Sequence, residues 1–179
     1  MRKMIAAMKN PMDAQSDASG GDANWVRSWS RDYGLTPQID ACLLSGRMYP
    51  GYEGYWTGLQ DAPDRPLPMT GKLPTQDEIK WARFIAQVPH YVLSNTLTSA
   101  HWPNTHFLRR LGDVSSLKQA PGKAIYLVGD AHIVATLIDA GLVDELRLIV
   151  DPLMVGSGQR VGQDSALPRY RRQVSTQAE

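Results

Sequence analysis

IYLVGDAHIVATLIDAG, residues 125–141, is the stretch on which the fold turns. Ile125, Tyr126, Leu127 and Val128 form a continuous apolar run, the pattern of a strand buried on both faces. Ile133, Val134, Leu137 and Ile138 then recur at helical spacing and mark one apolar face, and Gly141 supplies a C-terminal stop. Gly129, Asp130 and Ala131 therefore lie where a helix N-terminus emerges from the carboxyl end of a strand. The unpaired amides and the dipole of such a terminus favour an anion such as a pyrophosphate, and glycine lets the backbone approach it closely. Asp130 pulls the other way, because a carboxylate is itself a good N-terminal cap and repels a phosphate. The residues leave both readings open, a phosphate cradle or a self-capped helix.

Working outward, ELRLIVDPLMV follows, with Leu146, Leu148 and Val150 alternating on one strand face. Upstream, HYVLSN and THFLRR read as strands, and Asp113 can cap a short helix before Pro121-Gly122. Thr75 and Glu78 have capping-box spacing and open the helix DEIKWARFIAQ. Pro63, Pro66, Pro68 and Pro74 make Thr57 to Gln76 an excursion over the surface. DACLLSG is a short buried strand, and the aromatic-rich RMYPGYEGYW after it begins with a helical turn. MRKMIAAMK is an opening strand, NPMDAQSDASGGDAN a loop, and NWVRSWSRDYG a helix with Asn24 as N-cap. Helical patterns between hydrophobic strands are the signature of an α/β sheet covered on both faces. In such sheets ligands gather at the carboxyl ends of the strands.

Composition sets outer bounds. The chain has 179 residues, within the range of one domain of about 100–200 residues. Its 19 basic and 18 acidic residues nearly cancel, so neither a nucleic-acid nor a membrane partner is expected. The single cysteine, Cys42, excludes an intramolecular disulfide and reads as a core residue. His90, His101, His106 and His132 lack metal-ligand spacing, so no metal is expected, and His132 reads as solvent-facing. The apolar core of MRKMIAAMK is too short for a signal segment, and a cytoplasmic location is the expectation.

Two further strand ends carry candidate chemistry. In LLSGRMYPGY, Gly46 and Arg47 bring backbone amides and a guanidinium to a strand end, where a phosphate would suit the planar fork. In VLSNTL, Ser94 and Thr96 could hydrogen-bond a phosphate, though such residues are also ordinary in turns. GSGQRVG, residues 156–162, does not match the dinucleotide fingerprint, because Val161 stands at its third glycine. Asp13, after the opening strand, is a candidate proton donor or ligand anchor, and the arginines from Arg169 read as a solvated tail.

Together, MRKMIAAMK, DACLLSGRMYPGYEGYW, HYVLSNTL and PGKAIYLVGDAHIVATLIDAGLVDELRLIVDPLMVGSG resemble the dihydrofolate reductase-like family. The likeness is to its branch related to the C-terminal reductase domain of the bifunctional riboflavin-biosynthesis deaminase-reductase. The resemblance implies a three-layer α/β/α sandwich with a mixed, mostly parallel sheet. It also implies an NADPH site and hydride transfer to a small-molecule substrate, pterin-like or ribosylamino-pyrimidine-like. Val128, Gly129, Asp130 and Ala131 match the family's pyrophosphate turn, and Gly46 and Arg47 its second cofactor turn. Ser94 and Thr96 match the segment near the adenosine 2′-phosphate, and Asp13 an aspartate opening the substrate-side loop.

The sequence departs from that pattern at three places. Asp130 stands where the family has a second glycine, Ala14 follows Asp13 in place of glycine, and the residues after Gly158 lack the family's continuation. The expected organisation is a reductase domain over 1–162, with its C-terminal strands incomplete, and a divergent tail over 163–179. A missing last strand pair would leave an open sheet edge suited to a homodimer. The departures motivate a second reading, a non-catalytic member that keeps the fold as a nucleotide-binding or self-associating module.

Overall fold

The computed structural model describes residues 1–11, 15–17, 32–68, 71–129, 131–151 and 159–160. Eight strands and four helices follow one another among them. They are β1 (Met4–Pro11), β2 (Gln15–Asp17), β3 (Ile39–Ser45), α1 (Tyr49–Asp61), α2 (Gln76–Ile85), β4 (His90–Leu93), β5 (Thr105–Leu108), α3 (Leu111–Gln119), β6 (Ala124–Val128), α4 (Ala131–Asp139), β7 (Glu145–Asp151) and β8 (Gln159–Arg160). Six strands form one sheet in the order β5-β4-β3-β6-β1-β7, and β2 pairs with β8 separately. Every pairing in the six-stranded sheet is parallel, whereas β2 and β8 run antiparallel.

The period-2 alternation of the strands divides the core into two halves. Ile5, Ala7, Cys42, Leu44, Tyr126 and Val128 face α1 and α2, meeting Tyr49, Trp56, Leu59, Trp81, Ala82 and Ile85. Met4, Ala6, Met8, Leu43, Ile125 and Leu127 face α3 and α4, meeting Val114, Leu117, Ile133, Val134, Leu137 and Ile138. The result is a three-layer α/β/α sandwich, the layering that the resemblance implied. Cys42 is fully buried, and burial pushes its thiol up to about 12.

One sequence expectation needs correction. Thr57–Asp61 is the second half of α1, and Trp56 and Leu59 pack into the core from it, so the surface excursion begins only after Asp61. Its prolines, Pro63 onward, stop the helix but do not reach back into it. Asp113 caps α3 as expected: it is the third residue of the helix, behind Arg110 at the N-cap, and its carboxylate closes the terminus by accepting the Arg109 and Arg110 amides at 2.9 and 3.0 Å. The box at Thr75 forms as the spacing predicts: Thr75 Oγ1 accepts the Glu78 amide and Glu78 Oε2 accepts the Thr75 amide. In β7, Leu148 and Val150 stand in one alternating row but are exposed, while Leu146 packs on the core. The helix predicted over NWVRSWSRDYG lies almost wholly outside the described residues.

Ion pairs close the amino edge of the sheet. Arg2 pairs with Asp40 and donates from Nε to the Lys123 carbonyl at 2.7 Å. Lys118 is buried and donates to Asp144 Oδ2 and to the Leu142 carbonyl, each at 2.5 Å. No helix among the described residues is long and apolar enough to cross a membrane.

Candidate functional site

Because the large sheet is parallel, the loops leaving its strands gather on one edge. Registers fix their order. Leu93 pairs with Leu108, Ser45 with Leu93, and Leu44 with Val128. Arg109 and Arg110 after β5, Ser94–Leu97 after β4, Ser45–Arg47 after β3 and Val128–Gly129 after β6 therefore form one continuous rim.

At its centre the chain leaves β3 for α1 on one face and β6 for α4 on the other. Two adjacent strands whose connections diverge open a crevice between them, the place where open α/β sheets take ligands. The termini at that crevice are set apart by what they lack. The α1 N-cap, Met48, makes no side-chain cap, a proline occupies the first helical turn, and no acid stands there. The first turn of α4, from Ala131 on, holds no acidic residue either, while Asp130, directly before it in the sequence, lies outside the described residues. By contrast α2 is closed by Glu78, and α3 by Asp113. The Arg109 and Arg110 amides hold the Asp113 carboxyl below its ordinary range, so the α3 terminus already has its anion. Two helix termini free of first-turn acids, side by side and flanked by the exposed Arg47, suit an extended anionic ligand laid along the rim.

Gly46 and Ser94 lock the neighbouring loops together. The Gly46 amide donates to the Leu93 carbonyl at 3.0 Å, and the Ser94 amide to the Leu108 carbonyl at 3.0 Å. A Cβ on Gly46 would stand 2.5 Å from the Ser94 Cβ, so glycine is demanded by the serine of the next strand. Ser94 Oγ accepts the Thr96 and Leu97 amides at 3.3 and 3.1 Å, which folds the 94–97 loop around its own hydroxyl. Gly129 is likewise required from within: a Cβ there would lie 2.6 Å from Ile133 Cγ2 and 3.0 Å from Val134 Cγ2. Its small size lets the first turn of α4 sit on the end of β6.

The structure thus brings Gly46, Arg47, Ser94, Thr96, Val128, Gly129 and Ala131 to one rim. Asp13 and Asp130 lie outside the described residues. His132 is exposed on α4, and His106 stacks on Tyr91 at 5.2 Å. Among the described residues no group of three or more His, Cys, Asp or Glu side chains could hold a metal ion. Sequence reasoning missed Arg109, whose Nη1 donates to the Ser94 and Leu97 carbonyls. Main-chain acceptors leave no mark in a sequence; only the cation directly after a strand could have drawn attention to it.

Comparison with known proteins agrees with this architecture. Residues 2–178 match the family described as the RibD C-terminal domain, to which the chain belongs. It is 30% identical over 165 residues to the uncharacterized protein YyaP of Bacillus subtilis (strain 168), covering 88% of this chain and 79% of that protein. A solved structure titled "Putative riboflavin biosynthesis protein", from Shewanella sp. PV-4, superposes with a TM-score of 0.56 at 14% identity, over 89% of this chain and 82% of that one. The diaminohydroxyphosphoribosylaminopyrimidine deaminase/5-amino-6-(5-phosphoribosylamino)uracil reductase of Thermotoga maritima superposes with a TM-score of 0.52 at 12% identity, over 89% of this chain and 47% of that longer protein. These two likenesses show the fold.

Proposed function

We propose that this member of the RibD C-terminal domain family is an NADPH-dependent reductase acting on a pterin-like or ribosylamino-pyrimidine-like substrate. The observation that carries the reading is the pair of helix N-termini, α1 and α4, at the adjacent ends of β3 and β6, with no acidic residue inside the first turn of either and Asp130 directly before α4. The residues present fit a dinucleotide phosphate there. Gly46 and Arg47 bind from one side and Val128, Gly129, Asp130 and Ala131 from the other, while Ser94 and Thr96 serve the 2′-phosphate. When bound, NADPH supplies the hydride. The chain's own task is to orient the nicotinamide against the acceptor and exclude water. Asp13, two residues past β1, is assigned to the substrate side as an acid or anchor.

Asp130 favours a second reading in which the fold persists without a working cofactor site. Titration of the purified chain with NADPH, followed by calorimetry, separates the two, with NADH and Asp130→Gly as comparisons. Micromolar binding by the native chain, weaker for NADH, supports the reductase. Silence in the native chain with binding recovered in Asp130→Gly establishes the non-catalytic reading. Silence in both overturns the assignment of this rim to a dinucleotide.

A further inference from the structure

Arg109 performs work on the rim that the cofactor reading does not use. Its Nη1 donates to the Ser94 carbonyl at 2.5 Å and to the Leu97 carbonyl at 2.9 Å, so one nitrogen bridges the two ends of the loop. Its guanidinium carbon stands 5.5 Å from the centre of the Phe107 ring. Its own backbone amide is held by Asp113 Oδ2 at 2.9 Å. Cation, ring and helix terminus thus fix the side chain at an exposed position, where ordering a long arginine costs rotamer entropy.

The consequence is electrostatic as well as geometric. Ser94 Oγ closes the 94–97 loop from inside, and Arg109 closes it from outside through the two carbonyls. Those carbonyl oxygens would otherwise present negative partial charge beside any anion resting on Ser94 or Thr96. Tied to a guanidinium, they are neutralised, and the loop offers hydroxyls and net positive potential instead.

We infer that Arg109 is a positioning residue that sets the preference for a 2′-phosphorylated over an unphosphorylated adenine nucleotide, by clamping the 94–97 loop. This rests on the NADPH reading of the same rim. Lysine keeps the charge, but its shorter stem and single ammonium do not reproduce an Nη1 seated over Phe107 and shared between two carbonyls.

The test is calorimetry with 2′,5′-ADP and 5′-ADP on the full chain, on Arg109→Met and on Arg109→Lys, with melting temperatures recorded alongside. The native chain is expected to prefer 2′,5′-ADP by about tenfold or more. Arg109→Met should lose most of that preference while its affinity for 5′-ADP stays within about twofold. Arg109→Lys should recover only a minor part of the loss. Full preference in Arg109→Met overturns the role of Arg109 and leaves the NADPH reading intact, as does full recovery in Arg109→Lys, which would mean that charge alone suffices. A uniform loss for both nucleotides would mark Arg109 as merely structural and also overturn the proposal. A native chain that binds neither 2′,5′-ADP nor NADPH overturns the NADPH reading itself. Should the methionine variant not fold, the lysine variant decides alone.

Discussion

His90 and Trp102 face each other with ring centroids 4.5 Å apart, and the imidazole is wholly buried. Tyr52 and Tyr49 complete an aromatic enclosure at 5.9 and 6.3 Å. Burial pushes the imidazole down to about 4, against a weaker opposing pull from the Val88 carbonyl. The folded chain therefore binds fewer protons here than the unfolded chain, whose histidine titrates near about 6.5. Its stability contribution is complete above that value and is lost as pH falls toward about 4, at up to about 1.4 kcal/mol per pH unit. Melting temperature measured across this window should fall with acid in the native chain and fall less in His90→Phe. Identical slopes would mean that other groups govern acid sensitivity.

Gly46→Ala forces its new methyl group into Ser94. A cost of about 1–3 kcal/mol is expected from overpacking, measured by urea denaturation. Combining it with Ser94→Gly removes the obstructing side chain, so stability should largely return while 2′,5′-ADP affinity does not. Recovery of both would mean that the Ser94 hydroxyl has no part in the site.

At the other central turn, Gly129→Ala meets Ile133 Cγ2 at 2.6 Å. The expected cost is about 1–3 kcal/mol. With Ile133→Ala also present the two effects should be less than additive by about 1 kcal/mol, since the cavity receives the methyl group. Strict additivity in the double-mutant cycle would contradict this packing account of the glycine.

Lys118 tests the amino edge. Its ammonium is buried and bonded to Asp144 and Leu142, and Asp144 also accepts the Met4 amide at 2.7 Å. Lys118→Ala should cost about 3 kcal/mol by stranding a partly buried carboxylate. Lys118→Met should cost less, because it keeps the aliphatic stem packed. The comparison is read from chemical denaturation at neutral pH, and an equal cost for both variants would place the effect in the lost charge alone.

How far the sequence could be read depended on whether the deciding contacts were local. Residues 125–141 declare a strand and a helix because their apolar residues change period from continuous to helical within a few positions. The α2 start was legible because both partners of its capping box lie three residues apart. The length of α1 was not. YPGYEGYWTGLQD carries Gly51, Gly54 and Gly58, all poor helix formers, and its anchors Tyr49, Trp56 and Leu59 are held by tertiary burial that overrides propensity. At the rim, the types of Gly46, Arg47, Ser94 and Gly129 were visible as candidates. That Ser94 and Ile133, rather than a ligand, forbid side chains at the two glycines became visible only in three dimensions. Arg109 stayed hidden because its partners are main-chain carbonyls on another strand's loop.

The place of β1 bears on how the molecule comes into being. The strand lies between β6 and β7, so Met4 finds its neighbour at Ile125, and Ala6 finds neighbours at Leu127 and Leu146. During synthesis Met4–Met8, an almost purely apolar segment, leaves the ribosome long before either flanking strand exists. Closure over so long a span makes the last step slow and exposes an unpaired edge meanwhile, the condition in which chains aggregate or recruit chaperones. A folding intermediate built from β3, β4, β5 and β6, with a vacant slot beside β6, is the species expected to accumulate if Met4–Met8 is delayed. A segment made before both of its neighbours is thus among the last to find its place.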